Sequence, residues 1–590
     1  MIAVSIDKNL KSHSKMIHYC FDFLFNTIGV EYRYISDYSN LRKREIFFLY
    51  STIKPTTREL ENLDENRIIF YVPAERFLLK REDMDEDLIK AKMRSMKLHR
   101  EFKILASNVV QEPINLRKIN DLYFGYFNFD LIGNLIFFLN EYEYKKSKTE
   151  FKDKHGNVIE DFIRFNDSLD YPFINAIVWL VDKFLSEAVT QNKNFLIKKN
   201  FWPNNEKSAV ALSHNVEKLQ KWTFFSLIQS FFKDIKFFVT FKWNFMFRRL
   251  LGKIKYILTN DEPYWNFFMI NDIEEQNNIK STYFIGSEKE NKYDVDYFLN
   301  EDDDLKSELN ELKAKNHEIA LLGSYRSYKN FILKRQKELV RDSLGVDTVG
   351  IRQLRYRYDY DFTAEQHEKE NFIYDSSKSI KNGNGFRNGL AIPYYMFAEN
   401  IDGKQQFDFL ELPLTIHENF FYKNKDIYIN FDEAKKKFKK ILNNMISTNG
   451  FLGINLPIHL FYDIPYLQKF YIFIIEYMKK KNIYLDSYKN MAKWWKLREK
   501  IIIKEFNDQI HIKFNSQMKK CSFELIGKVT ITKIRGLDAT FKNNKIYFKN
   551  IKRNSRAIIE IDSELNRLPK EKHNVFSKEK NSNNNQCPSY

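Results

Sequence analysis

Between Lys207 and Tyr488 the chain repeats one pattern, a short apolar run with a polar tail followed by a longer stretch of helical periodicity. The runs are SAVALSH, KSTYFIG, HEIALLGS, TVGIRQL, FIYDSS, FLELPLT, FLGINLPIHL and NIYLDS. Strands that are apolar nearly throughout are buried on both faces, which calls for a parallel sheet covered by helices. The pattern therefore predicts β/α units in an open sheet or a barrel. It also places each polar tail at the carboxyl end of a strand, where such folds carry their chemistry.

The flanks read differently. HYCFDFLFNTIGVEYRYI, REIFFLYS and RIIFYVPA suggest a helix followed by strands, hence an α/β domain over 1–120. DLYFGYFNFDLIGNLIFFLNEYEY reads as a long helix, and YPFINAIVWLVDKFLSEAV as a second, so 121–206 is expected to be a helical connection. The barrel is assigned to 207–490 with an insertion over about 222–270. A closing helix, NMAKWWKLREKIIIKEF, and a small β-rich region follow over 491–565, and the polar stretch 566–590 is expected to be disordered.

At 590 residues the chain exceeds one ordinary core. Its formal charge of +17 suits an acidic partner, yet no helix-turn-helix, zinc-finger or RNP signature is present, so nucleic acid is not expected. Cys20, Cys521 and Cys587 are too dispersed for a disulfide framework or a CxxC site, which fits a reducing compartment. The opening residues lack a signal-peptide core, and no run approaches the roughly 18 apolar residues of a membrane span. The expected location is cytoplasmic. The segment 222–258 mixes aromatic and basic residues in a helical pattern; it is read either as an insertion packed on the barrel or as a peripheral membrane contact.

Taken in order, the strand tails resemble those of the polysaccharide deacetylases, carbohydrate esterases with a distorted β/α barrel. FWPNNEKSAVALSHNVE is similar to the family's Trp-Pro lead-in and Thr-His-Asp-x-Asp strand, NNIKSTYFIG to its second strand, and NHEIALLGSY to Gly-His-Glu-Ile-Gly-Leu-His-Gly-Ser-Tyr. GIRQL, FIYDSS, GFRNGLAIPYYMF and MAKWWKLRE resemble later segments, and DKHGNVIEDFIRFNDS resembles the region before the barrel in bacterial members. The resemblance spans most of 20–500 and implies surface or envelope glycan metabolism, with a glycan or glycan precursor as partner.

It also implies a mechanism whose parts can be looked for. The family holds a divalent ion such as zinc with one Asp and two His; the ion polarises the acetyl carbonyl and acidifies a bound water. A second Asp, two residues before the ligand Asp, takes the water's proton. Carried over, the base falls on Asn215, a neutral amide, and the ligand carboxylate on Glu217. The third-strand His falls on Leu322, and the position four residues on is Arg326. Leu354 replaces the His of Gly-x-Arg-Gln-His while Arg352 is kept, and His459 stands about two residues from the family's Trp-His-Asn.

Glu217 and His417 remain as metal candidates, with His214 and His317 as further members of an alternative cluster, although His214 points to the other face of its strand from Asn215 and Glu217. Tyr325 and Arg387 are expected to touch substrate, Arg387 alternatively stiffening its loop. Arg352 is expected to bind an acidic group or bridge strand ends, and Asp375 to orient a polar group of the mouth or cap the next turn. The leading expectation is a carbohydrate-binding or scaffolding barrel without metal-dependent deacetylation. Its rivals are a deacetylase with a site rebuilt around Glu217, His417 and His459, and a membrane-surface adaptor.

Overall fold

The computed structural model describes residues 1–563 apart from 43, 57–58, 60–66, 81–83, 120–121, 146–151, 156–168, 193, 222–261, 381–382, 400, 425–426 and 507. The proposed membrane segment 222–258, most of DKHGNVIEDFIRFNDS and the tail 566–590 lie outside the described residues.

The N-terminal unit is a six-stranded sheet in the order Tyr32–Tyr34, Ile2–Ile6, Ile46–Ser51, Ile68–Pro73, Leu122–Phe127, Ile114–Ile119. Only the last strand runs antiparallel to its neighbour. The helix Ser14–Ile28 ends at Gly29, whose φ of 88° and 2.4 Å clearance between an added Cβ and the Lys199 carbonyl admit only glycine. The long helix expected from residue 121 is corrected. Leu122–Phe127 is a strand of this sheet, with Gly125 pressed against the Phe70 ring, and the helix begins only at Leu131, capped by Asp130 on the Gly133 N–H. Aromatic and β-sheet burial outweighed the apparent helical period.

The central sheet is built from β1 (Ser208–Val216), β2 (Thr282–Ile285), β3 (Glu318–Gly323), β4 (Gly350–Gln353), β5 (Tyr374–Asp375), β6 (Tyr394–Phe397), β7 (Gln406–Glu411), β8 (Leu414–Ile416), β9 (Phe451–Asn455) and β10 (Ile483–Leu485). Its order is β6-β7-β5-β4-β3-β2-β1-β9-β8, with β10 beside the start of β1; all pairs are parallel except β6 with β7. This is a mixed α/β structure with a curled, half-barrel parallel sheet. FLELPLT, expected as one strand, is two: Pro413 has no N–H for a ladder, and the chain breaks there between β7 near one end of the sheet and β8 at the other. The covalent link at Leu412–Pro413 thus joins sheet ends that share no ladder among the described residues.

The helix expected over 490–506 stops at Glu499, and the β-branched run that follows forms a strand. This strand, β11 (Ile501–Phe506), pairs with β12 (Gln509–Phe514), followed by β13 (Met518–Gly527), β14 (Val529–Arg535), β15 (Ala539–Lys542), β16 (Lys545–Ile551) and β17 (Ser555–Ser563). They form two antiparallel sheets, β11-β12-β17-β14 and β15-β16-β13 extended by the earlier strand Phe195–Lys199. Asn543 and Asn544, both left-handed, make the two-residue turn between β15 and β16. The connecting region is therefore not only helical: it lends a strand to the sheet on either side. Among the described residues no helix is long and apolar enough to cross a membrane.

Candidate functional site at the barrel mouth

β1 is central, paired with β2 and β9, and all nine of its residues are buried. Its polar end meets the ends of β4, β8 and β9. Arg352, wholly buried, donates through Nη1 to Ser213 Oγ and Asn215 Oδ1, both at 2.9 Å, through Nη2 to Ser376 Oγ at 3.0 Å, and through Nε to the Ser376 carbonyl at 3.2 Å. Its guanidinium lies 3.9 Å from the centre of the Phe284 ring, and it has no carboxylate partner among the described residues. Because arginine offers only donors, Asn215 must turn its oxygen toward it, which aims Nδ2 at Glu217 Oε1, 2.8 Å away. Asn215 is thus an amide relay between a cation and an anion.

A second arm starts from Asn455, which accepts the Asn215 backbone N–H at 3.0 Å and donates to the Tyr356 hydroxyl at 3.2 Å. Tyr356 in turn donates to Glu418 Oε2 at 2.8 Å. Arg355 and Tyr356 are consecutive non-glycine residues with φ of 57° and 56°, a conformation side chains of this size rarely adopt and one that gathers at functional sites. Burial, and then the neighbouring Glu418 carboxylate, push Glu217 above the usual carboxylate range against the pull of the Asn215 amide. The mouth thus presents two carboxylates, a tyrosine hydroxyl, two asparagine amides and a buried guanidinium.

The expected residues separate. Leu322 is buried beside Arg352 in the β3–β4 register, and Leu354 is buried also. Arg326 is exposed on the rim. Tyr325 is half-buried there, its hydroxyl 2.9 Å from His155 Nδ1 and its ring under Arg357 and against Tyr293. His417 is fully buried: Nε2 donates to the Ile380 carbonyl at 2.8 Å, and Nδ1 receives the Asn419 N–H at 3.5 Å, 3.4 Å from Glu418. One nitrogen serves its own turn and the other a distant backbone carbonyl. Asp375, also fully buried, accepts from the Ser377 N–H at 2.9 Å and faces His367, which is the turn-capping alternative. Arg387 points inward to Glu141 at 3.0 Å and lies over Tyr144, tying the connecting region to the barrel.

His214 and His317 do meet, but behind the sheet. There Glu274, unremarked in the sequence, accepts from Tyr471 at 2.5 Å, Ser281 at 2.9 Å and His214 Nε2 at 3.2 Å, with His317 Nδ1 at 3.6 Å. Among the described residues no three His, Cys, Asp or Glu side chains group so as to hold a metal ion. The donor set at the mouth does not fit the ion that the resemblance implies: two of its three ligand positions fall on Leu322 and Arg326, which offer no lone pair, and the imidazole of His417 is engaged.

His459 is 7% exposed, and its Nδ1 has no hydrogen-bond partner among the described residues. Burial, reinforced by Lys218, pushes the ring down to about 4. A histidine held neutral in this way stabilises the fold above its ordinary ionisation near pH 6.5, and the contribution fades as pH falls toward 4; it amounts to about 3 kcal/mol. His459→Asn is expected to flatten the fall of the urea midpoint between pH 6.5 and 4. Parallel pH profiles for variant and native protein would contradict the assigned burial.

No family model and no curated protein matches the chain. Solved structures do. A Mycobacterium smegmatis protein assigned as a polysaccharide deacetylase overlaps 50% of this chain and 91% of its own length, at 17% identity and a TM-score of 0.32. A Pseudomonas aeruginosa PAO1 protein assigned likewise covers 50% and 92%, at 13% and 0.33, and a peptidoglycan N-acetylglucosamine deacetylase covers 50% and 90%, at 12% and 0.24. The chain resembles polysaccharide deacetylases. An allantoinase covers 50% and 92%, at 15% identity and a TM-score of 0.34.

Proposed function

We propose that this chain is a glycan-binding barrel of surface or envelope polysaccharide metabolism, in which metal-dependent deacetylation is not the working chemistry. The observation that carries the reading is Asn215 held between Arg352 and Glu217. The position of the base is filled by an amide whose oxygen and nitrogen are both engaged, and a neutral amide does not take a proton from water at physiological pH. What the mouth offers instead is hydrogen bonding. Glu217 and Glu418 can each accept from adjacent sugar hydroxyls, and the strained Tyr356 fixes Glu418 in place. No step is assigned to a metal.

The test is calorimetric titration with chitopentaose and its de-N-acetylated counterpart, alongside acetate release with and without zinc, cobalt or manganese. Binding weakened at least tenfold in Glu217→Gln/Tyr356→Phe, without acetate release, is the expected result. Acetate release abolished by Glu217→Ala or His417→Ala would instead establish a rebuilt deacetylase site, and about one ion per chain by elemental analysis would accompany it.

A further inference from the structure

The region 501–563 carries 13 Lys and Arg against 6 Asp and Glu, a net +7 out of the chain's +17. The register shows where five of these cations go. On the outer face of the sheet β11-β12-β17-β14, one row reads Ile502, Lys513, Arg556, the next Lys504, His511, Ile558, Arg535, and the third Phe506, Gln509, Glu560, Lys533. The alternate residues Ile501, Ile503, Ile510, Ile512, Ala557 and Ile559 are buried on the opposite face, so the rows face out.

Five cations and one carboxylate share this face. Glu560 is bound to Arg535 at 2.7 Å, while Lys504, Lys513, Lys533 and Arg556 make no ion pair among the described residues. Lys513 and Arg556 stand directly opposite one another in the ladder, a like-charge pair that costs stability in an antiparallel sheet. With neighbouring strands ~4.8 Å apart and same-face residues ~6.8 Å apart along a strand, the charges form a flat grid. A grid of this kind attracts a polymer with repeating negative groups.

We propose that this outer face is a binding site for an acidic polysaccharide, a chain bearing repeated carboxylate, sulfate or phosphate groups. The apolar content argues against a lipid surface: Phe506 is the one large ring on the face, it lies 5.0 Å from His511, and Lys504 stands between it and Ile502. One ring also supplies no row of stacking platforms for the bases of single-stranded nucleic acid. The site is remote in sequence from the barrel mouth and does not depend on the reading given to that mouth.

Dextran sulfate is the probe, with neutral dextran of equal length as the reference and the full chain as the protein. Binding to dextran sulfate alone is expected, weakening at least tenfold between 50 and 300 mM salt as screening shortens the reach of each charge. The variant K504E/K513E/R556E is expected to lose at least tenfold in affinity at 50 mM salt. K436E/K439E/K480E, which makes the same charge change on exposed lysines of the barrel helices, is expected to keep it. Unchanged melting temperatures would show that both variants fold. Equal loss in the two variants, or equal binding to neutral dextran, overturns the assignment. Tighter binding to phosphatidylglycerol vesicles or to single-stranded DNA, lost in the first variant only, overturns the polysaccharide in favour of that partner.

Discussion

Glu274→Leu is expected to destabilise the barrel by about 3–5 kcal/mol, the size seen when one member of a buried charged network is removed. The carboxylate is fully buried and accepts from Tyr471, Ser281, His214 and, at 3.3 Å, Tyr283. His214 uses its other nitrogen on the Leu456 carbonyl at 2.7 Å, so both ring nitrogens face acceptors. Leucine would leave these donors without partners in an apolar surround. Glu274→Gln keeps the shape and one oxygen and is expected to cost only about 1–2 kcal/mol. Burial raises the Glu274 ionisation, but the hydrogen bond and charge of His214, with His317, bring it below the usual carboxylate value. A folded carboxyl depressed in this way stabilises above its unfolded pKa near 4.3 and loses that contribution as pH falls further. Urea midpoints at pH 7 and pH 4 check both points: the Leu variant should be closer to native at the lower pH, and a Leu variant within about 1 kcal/mol of native at pH 7 would remove the network from the account of the fold.

The sequence disclosed the barrel strands because each is apolar on both faces and ends in polar residues, a local property. It misplaced elements where pairing is decided at long range. Leu122–Phe127 looks helical until the neighbouring strand Ile68–Pro73 is present to take its ladder, and the single run FLELPLT supplies a strand near one end of the sheet and the edge at the other because Pro413 cannot pair. At the site, motif spacing located Asn215, Glu217 and Arg352, whose side chains do converge. Glu418 and Asn455 carried a readable signal, since each is polar at a strand end. Tyr356 did not: its role depends on two consecutive left-handed residues, which no side-chain pattern announces. Asp375, Arg387 and His417 sit on the expected segments but turn inward, because buried neighbours such as Glu141 and the Ile380 carbonyl satisfy them better than solvent does.

Asn215→Asp is expected to restore the residue type of a catalytic base and to weaken the protein. An aspartate here gains Arg352 as a counter-ion at 2.9 Å but sets an oxygen where Nδ2 now donates, 2.8 Å from Glu217 Oε1. Two carboxylates that close must share a proton, which raises the ionisation of the pair above that of either group unfolded. Stability so conferred is complete below about pH 4 and is lost as pH rises through the folded value. The variant is therefore expected to match the native protein near pH 4 and fall behind it by roughly 2 kcal/mol at pH 8. Adding Glu217→Gln exchanges the carboxylate and the amide: the introduced aspartate then accepts from both Arg352 and the new amide, and the deficit should shrink to within about 1 kcal/mol with little pH dependence. Urea midpoints of the native protein, both single variants and the double variant at pH 4 and 8 complete the cycle; an Asn215→Asp variant as stable as native at pH 8 would mean that Glu217 is not held against Asn215. The same proteins separate binding from turnover. Leu322 and Arg326 still offer no metal ligand in any of them, so acetate release is expected from none, and release from Asn215→Asp alone would show that the barrel needs only its base to become a deacetylase.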